Sequence, residues 1–239
     1  MIQGVLNNRF APTTFNIGFI DTDAENIASE FVDWQQPLVE SRGVQFKTKS
    51  RVGKLEELLD TLQPLTSVER RRYLFVPTKS KWTAYFDNGW RGGDPASAIP
   101  ALCLLRGHRG VRMTFSPHRL RDGLSGASIL EIYGPEGMPI LNIERSIYAA
   151  YDGSRWTFGQ SGKPLSFERL ESYRSGPIKS RFTYEMLEEY LRELEIRAFD
   201  PAFYEATNKE PAILVEKHGP NAKGLEEYPR VVFTESREF

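Results

Sequence analysis

One cysteine and three histidines are all the thiol and imidazole ligands that 239 residues supply. Cys103 alone cannot close an intrachain disulfide. With so few histidines, a zinc site would have to recruit carboxylates and ligands from distant parts of the chain. The phosphate-binding GxxxxGK[ST] loop, the GxSxG elbow, HExxH, CxxC and the EF-hand loop are all missing. Their absence lowers the case for several large enzyme classes without excluding an enzyme. Long hydrophobic runs are missing too. The longest apolar stretch, Ile99 to Leu105, is broken by Pro100 and ends at Arg106, far short of the ~20 residues that span a bilayer. The opening Met1-Ile2-Gln3-Gly4 shows no basic segment leading into an apolar one. No export signal and no membrane association are therefore expected, and a cytoplasmic location is. Cys103 falls on the apolar side of a helical stretch, where an inert core thiol is the expected role.

What the chain does have is a globular composition, with 40% hydrophobic and 26% charged residues. Fifteen Phe, ten Tyr and four Trp supply much of the expected core. The net charge of −1 conceals an uneven distribution. Residues 1–68 carry 6 basic and 9 acidic side chains, residues 69–121 carry 11 and 3, and residues 122–239 carry 14 and 20. The middle segment is thus strongly basic between two acidic ones, a pattern that predicts an electrically polar molecule if folding keeps those cations on one surface.

Periodicity divides the chain into short elements. Residues 14–20 alternate as a strand. Thr22-x-x-Glu25 reads as a capping box opening a helix with Ile27, Phe31 and Trp34 on one face and Pro37 just past its end. Leu55, Leu58, Leu59 and Leu62 have helical spacing. Tyr73–Val76 and Trp82–Phe86 predict a hairpin joined at 77–80. Asp94-Pro95 and Gly107 bracket a helix that contains Pro100. Strands follow over 111–115, 127–133, 140–151 and 155–158, with reversals at Gly134–Gly137 and at Asp152-Gly153, the latter suited to a two-residue type I′ turn. Thr183 caps an amphipathic helix to about Glu195, Asp200-Pro201 starts a short turn, and Ala212–Val215 predicts a last strand. The expected fold is α+β: an antiparallel β-sheet meander packed with several helices around a single core. One domain is expected over 1–239, with 1–65 as an N-terminal layer of helix and strand and 217–239 as a flexible tail.

Candidate sites are few. Gly89-Trp90-Arg91-Gly92-Gly93-Asp94 runs into a helix, an arrangement whose glycines and N-terminal N–H groups can hold an anion, with Arg91 as a bidentate partner. Against that, an Asp94 cap would already fill the helix end. The segment 106–121 brings His108, Arg109, Arg112, His118, Arg119 and Arg121 within one stretch, fit for an acidic partner or for phosphates. His108 and His118 have the intrinsic pKa of acid–base groups, with Asp87 or Asp94 as orienting partners. Trp82, Tyr85, Phe86, Trp90, Tyr148, Tyr151, Trp156 and Phe158 are read mainly as core, while Glu131 and Glu144 are too unspecific to assign. The sequence therefore predicts a non-catalytic cytoplasmic protein-binding domain, with an immunity-type protein that neutralises a bacterial toxin as its more specific form. Its binding residues are expected to be Trp90, Arg91, His108, Arg109, Arg112, Arg119 and Arg121, facing an acidic or mixed-charge protein. No catalytic residue, metal or cofactor is assigned. An enzyme using loop 89–94 and segment 106–121 on a phosphorylated or nucleotide substrate, and a nucleic-acid binder, are the alternatives.

Overall fold

A computed structural model describes residues 4–138, 141–174 and 176–230. Among these residues nine strands form one sheet in which every neighbouring pair is antiparallel. The strands are β1 (Asn16–Ile20), β2 (Gln45–Arg51), β4 (Arg72–Pro77), β5 (Thr83–Asp87), β6 (Gly110–Ser116), β7 (Ala127–Met138), β8 (Ile143–Tyr151), β9 (Trp156–Gly162) and β10 (Ala212–His218). A separate two-stranded ribbon pairs β3 (Leu65–Thr66) with β11 (Glu227–Tyr228). The helices are α1 (Ala24–Val39), α2 (Leu55–Asp60), α3 (Pro95–Arg106) and α4 (Tyr184–Glu193).

The spatial order is β2-β10-β4-β5-β1-β6-β7-β8-β9. Only β6 to β9 form the expected meander. In the other half, β10 enters from the far end of the chain between β2 and β4, and β1 lies between β5 and β6. Residues 1–65, expected as an N-terminal layer of helix and strand, contribute β1 and β2 to this sheet together with α1 and α2. Residues 217–230, expected as a flexible tail, continue β10 to His218 and return as β11. The rest of that expected tail, 231–239, lies outside the described residues.

The two halves of the sheet are buried differently. In β1, β4, β5 and β10 consecutive residues are buried, such as Leu74-Phe75-Val76 and Ala84-Tyr85-Phe86. That pattern requires cover on both faces. On one face α1 and α3 enclose Phe31, Phe75, Ile99 and Val215. On the other, α2, α4 and their loops enclose Leu58, Leu74, Phe86, Leu187 and Leu191. The expected single core is thus laid out as two large apolar clusters, one per sheet face, and a small third around Ala11, Phe15 and Leu124. In β7 and β8, by contrast, buried residues (Leu130, Ile132, Ile147, Ala149) alternate with half-exposed ones, as in a sheet with one wet face.

Local chemistry accounts for most element ends. Asp23, rather than Thr22, caps α1, its carboxylate accepting from the Asn26 N–H at 2.8 Å. The helix runs through Pro37 to Val39, because a proline so near the end interrupts only the last turn. Thr183 accepts from the Met186 N–H and starts α4. Gly107, at φ 74°, closes α3 in the left-handed region. Two reversals differ from expectation. The Asp152-Gly153 loop has four residues between the paired Tyr151 and Trp156, with the Asp152 side chain accepting from the Ser154 and Arg155 N–H groups. Residues 134–137 form a bulge within β7, since Tyr133 and Met138 both pair with Ile143.

Candidate functional site

The residues marked by sequence are distributed over four places. Trp90 stacks on Tyr228, with ring centroids 4.7 Å apart and planes 16° from parallel, and the Arg91 guanidinium lies 4.6 Å over the Trp90 ring. His108 and Arg109 lie beyond the far end of α3. The His108 Nε2 is 2.7 Å from Glu30 of α1, and Arg109 donates to Glu144 at 2.7 Å. Arg112 is on β6, while Arg119 precedes and Arg121 lies within the short turn Leu120–Asp122, where Arg119 meets Asp122 at 3.3 Å. Arg91 and His108 are separated by the 12 residues of α3, about 18 Å of helix. His108 and His118 stand at opposite ends of β6, roughly 23 Å apart along a seven-residue strand. His118 instead accepts from the Gly126 N–H and packs against Tyr151 and Trp156.

Nor is loop 89–94 an open anion cradle, because a carboxylate of the protein already fills it. Asp87 is fully buried at the end of β5. Its oxygens accept from the N–H groups of Gly89 at 2.9 Å and Asp94 at 2.6 Å, and from the Tyr85 hydroxyl. Burial pushes the Asp87 carboxyl above its usual range and the Tyr85 hydroxyl well above its own. Asn88, equally buried, accepts from the Arg71 and Arg72 N–H groups and donates to the Pro64 carbonyl. These two side chains thereby tie the loop to residues 64–72.

The basic segment does not make one surface. Seven of its eleven cations meet carboxylates within the fold: Arg70 with Asp87, Arg71 with Glu69, Arg72 with Glu216, Arg106 with Asp33, Arg109 with Glu144, Arg112 with Glu131 and Arg119 with Asp122. Five of those partners come from outside the segment, so charge that is segregated along the chain is mixed in space.

Arg112 leads to a different surface. α3 lies across β1, β6 and β7, seated directly on backbone where Gly18 and Gly110 leave room for Ile99. Past α3 the same sheet face carries Thr114, Ile129, Ser146, Tyr148, Thr157 and Ser161, none of them buried. At its inner margin Arg112 donates to Glu131 at 2.7 Å and to Asn16 at 2.9 Å. Thr114 also donates to Asn16 and Tyr133 to Glu131. Both charged side chains keep 17% of their surface exposed. Farther out, the Tyr148 ring lies over Gly159, where an added Cβ would meet it at 2.6 Å. A tyrosine is thus held flat on a rigid sheet beside a preformed ion pair. Sequence reading reaches Arg112, names Tyr148 as an aromatic and notes Glu131. It misses Asn16, whose role depends on a strand pairing almost a hundred residues away.

Comparison of the chain with known protein families, with curated proteins and with solved structures finds no match. No helix among the described residues is long and apolar enough to cross a membrane.

Proposed function

We propose that this is a non-catalytic protein-binding domain that docks a partner on the open face of β6–β9. The observation that carries the reading is the pairing of Tyr148, 36% exposed and seated on Gly159, with the mostly buried but solvent-reaching Arg112–Glu131 pair on the same face. An aromatic anchor surrounded by small polar side chains, with oriented charges at the margin, is the composition of a protein interface. Both signs of charge are present, so the reading assigns a mixed-charge partner. The narrower immunity-type reading draws on a globular chain, missing catalytic motifs and segregated charge, and pairing of that charge within the fold leaves the broader reading as the better supported one. A reducing, cytoplasmic setting suits the lone buried thiol of Cys103.

Affinity capture from lysate of the native organism, with wild type beside Tyr148→Ala and Ile129→Glu, tests this. A protein held by wild type and lost from both variants, at unchanged circular dichroism and melting temperature, supports the reading. Capture that ignores both substitutions refutes it.

A further inference from the structure

A second surface lies at the opposite end of the sheet, independent of the β6–β9 face. Among the described residues β2 pairs only with β10. The Lys217 N–H of β10 donates to Arg71, so Lys217 faces β4 and the residues alternating with it face β2. Register then turns the backbone groups of Lys47 and Lys49 toward β10 and those of Phe46, Thr48 and Ser50 outward. The first outward positions are already read by an amide. The Gln36 side chain donates to the Val44 carbonyl at 3.0 Å and accepts from the Phe46 N–H at 3.0 Å, the two bonds a neighbouring strand would make. Gln36 reaches no farther. The Thr48 N–H and carbonyl follow it along an edge that has no proline and no bulge. The other edge strand, β9, is flanked by the helical turn Ile178–Ser180.

Side chains state what would fit. Lys47, Lys49 and Arg51 share one face of β2. Lys49 meets Glu216, a carboxylate shared with Arg72, whereas Lys47 has no ion pair among the described residues and Arg51 reaches only the Ser50 carbonyl of its own strand. We infer that β2 is a docking edge for an extended acidic segment of a partner protein, added as a tenth strand with its carboxylates opposite Lys47, Lys49 and Arg51. Cross-strand neighbours on one face stand ~5 Å apart, within reach of ion pairing. Lysines on an edge also repel an identical edge, which makes an acidic strand, rather than a second copy of this chain, the fitting occupant. The mode is strand addition, in which main-chain bonds supply affinity and alternate side chains supply selectivity.

The test uses the full chain and a fluorescent eight-residue peptide alternating Glu with Val, with a Lys-for-Glu peptide as control, read by anisotropy at low ionic strength. Expected is binding of the acidic peptide alone, with slowed exchange of the Thr48 amide proton. Affinity falls at least tenfold in Thr48→Pro, which removes an outward N–H and spares the β10 pairing, and in Lys47→Glu/Arg51→Glu. A peptide N-methylated at alternate amides removes the same bonds from the other side, so the result does not depend on Thr48→Pro folding. Absence of binding, equal binding of the Lys peptide, or indifference to N-methylation overturns the inference. So does a dimer in sedimentation that Lys47→Glu/Arg51→Glu alters.

Discussion

The guanidinium of Arg145 and the carboxylate of Glu168 meet through two hydrogen bonds, of 2.8 and 2.6 Å, with 1% and 0% of their side chains exposed. Every direction around the pair is occupied. Arg145 also donates to the carbonyls of Ser161 and Gly162 and to Gln160. Glu168 also accepts from the Leu165 N–H and the Tyr173 hydroxyl. The pair fastens the 163–174 loop to β8. Glu168→Leu leaves a buried guanidinium unmatched and is expected to cost about 3–5 kcal/mol. Arg145→Met/Glu168→Leu, which removes both charges, is expected to recover much of that. Urea unfolding of the two variants checks it, and equal losses would show that the pair's charges are not what matters.

Neither Arg145 nor Glu168 stands out in the sequence, and the reason is physical. Signals that act within a few residues were legible: the Thr183 cap of α4, Asp94-Pro95 and Gly107 around α3, and the β4–β5 hairpin. Contacts set by distant chain segments were not. Nothing local to Ala212–His218 says that it slots between β2 and β4. The cations of 69–121 look free only because Glu216, Glu131 and Glu144 lie far along the chain. The open face was half legible, since the alternation of β7 and β8 is a local pattern while the position of α3 over the neighbouring strands is not.

That position depends on two glycines. An added Cβ at Gly18 would stand 2.5 Å from the Ile99 Cδ1 and 2.9 Å from the Pro95 Cβ, and one at Gly110 would stand 2.7 Å from the Cys103 Sγ. Gly18→Ala and Gly110→Ala should each destabilise by about 1–3 kcal/mol through overpacking. Ile99→Ala should relieve part of the Gly18→Ala cost in the double variant, as a double-mutant cycle by thermal unfolding would show. Strict additivity would mean that α3 moves away instead.

Beneath α3, burial pushes the Cys103 thiol up to about 12, with Asp21 and Glu144 adding to the rise. The thiolate is the reactive form, so at pH 8 an aromatic disulfide reagent should label native protein only as fast as it opens. Addition of urea to the unfolding midpoint should accelerate labelling by orders of magnitude. Rapid labelling without denaturant would show that α3 opens readily.

Glu69 predicts an acid response. It meets Arg42 at 2.5 Å, Lys217 at 3.3 Å and Arg71 at 3.4 Å. Burial alone would raise its carboxyl, but the hydrogen bond from Arg42 and the charge of Lys217 outweigh burial and hold it below the usual value. A carboxyl lowered by folding stabilises fully above its unfolded pKa, and that stability is lost as pH falls through the folded one. The stability gap between wild type and Glu69→Gln, about 3 kcal/mol at neutral pH because Lys217 is left nearly buried and unpaired, should therefore close on acidification below the ordinary carboxylate range. Denaturant titrations from pH 7 to pH 3 measure it, and a gap that stays constant would remove Glu69 charge as the cause.

Trp90 has a structural task that its glycine-rich surroundings disguise. Its stack on Tyr228 and the pairing of β11 with β3 hold residues 225–230 against the body, and Arg230 adds a contact over Phe10 and an ion pair with Asp60. Trp90→Ala removes the stack, worth about 0.5–1.5 kcal/mol beyond the area it buries, from a segment whose other anchors are short. Local release should therefore exceed global loss. Trypsin should cut after Lys223 several-fold faster in the variant, while the main thermal transition moves by only a few degrees. Trp90→Phe, which keeps a stacking face, should restore most of the protection. Cleavage unchanged in Trp90→Ala would show that β11 and Arg230 hold the segment without the stack.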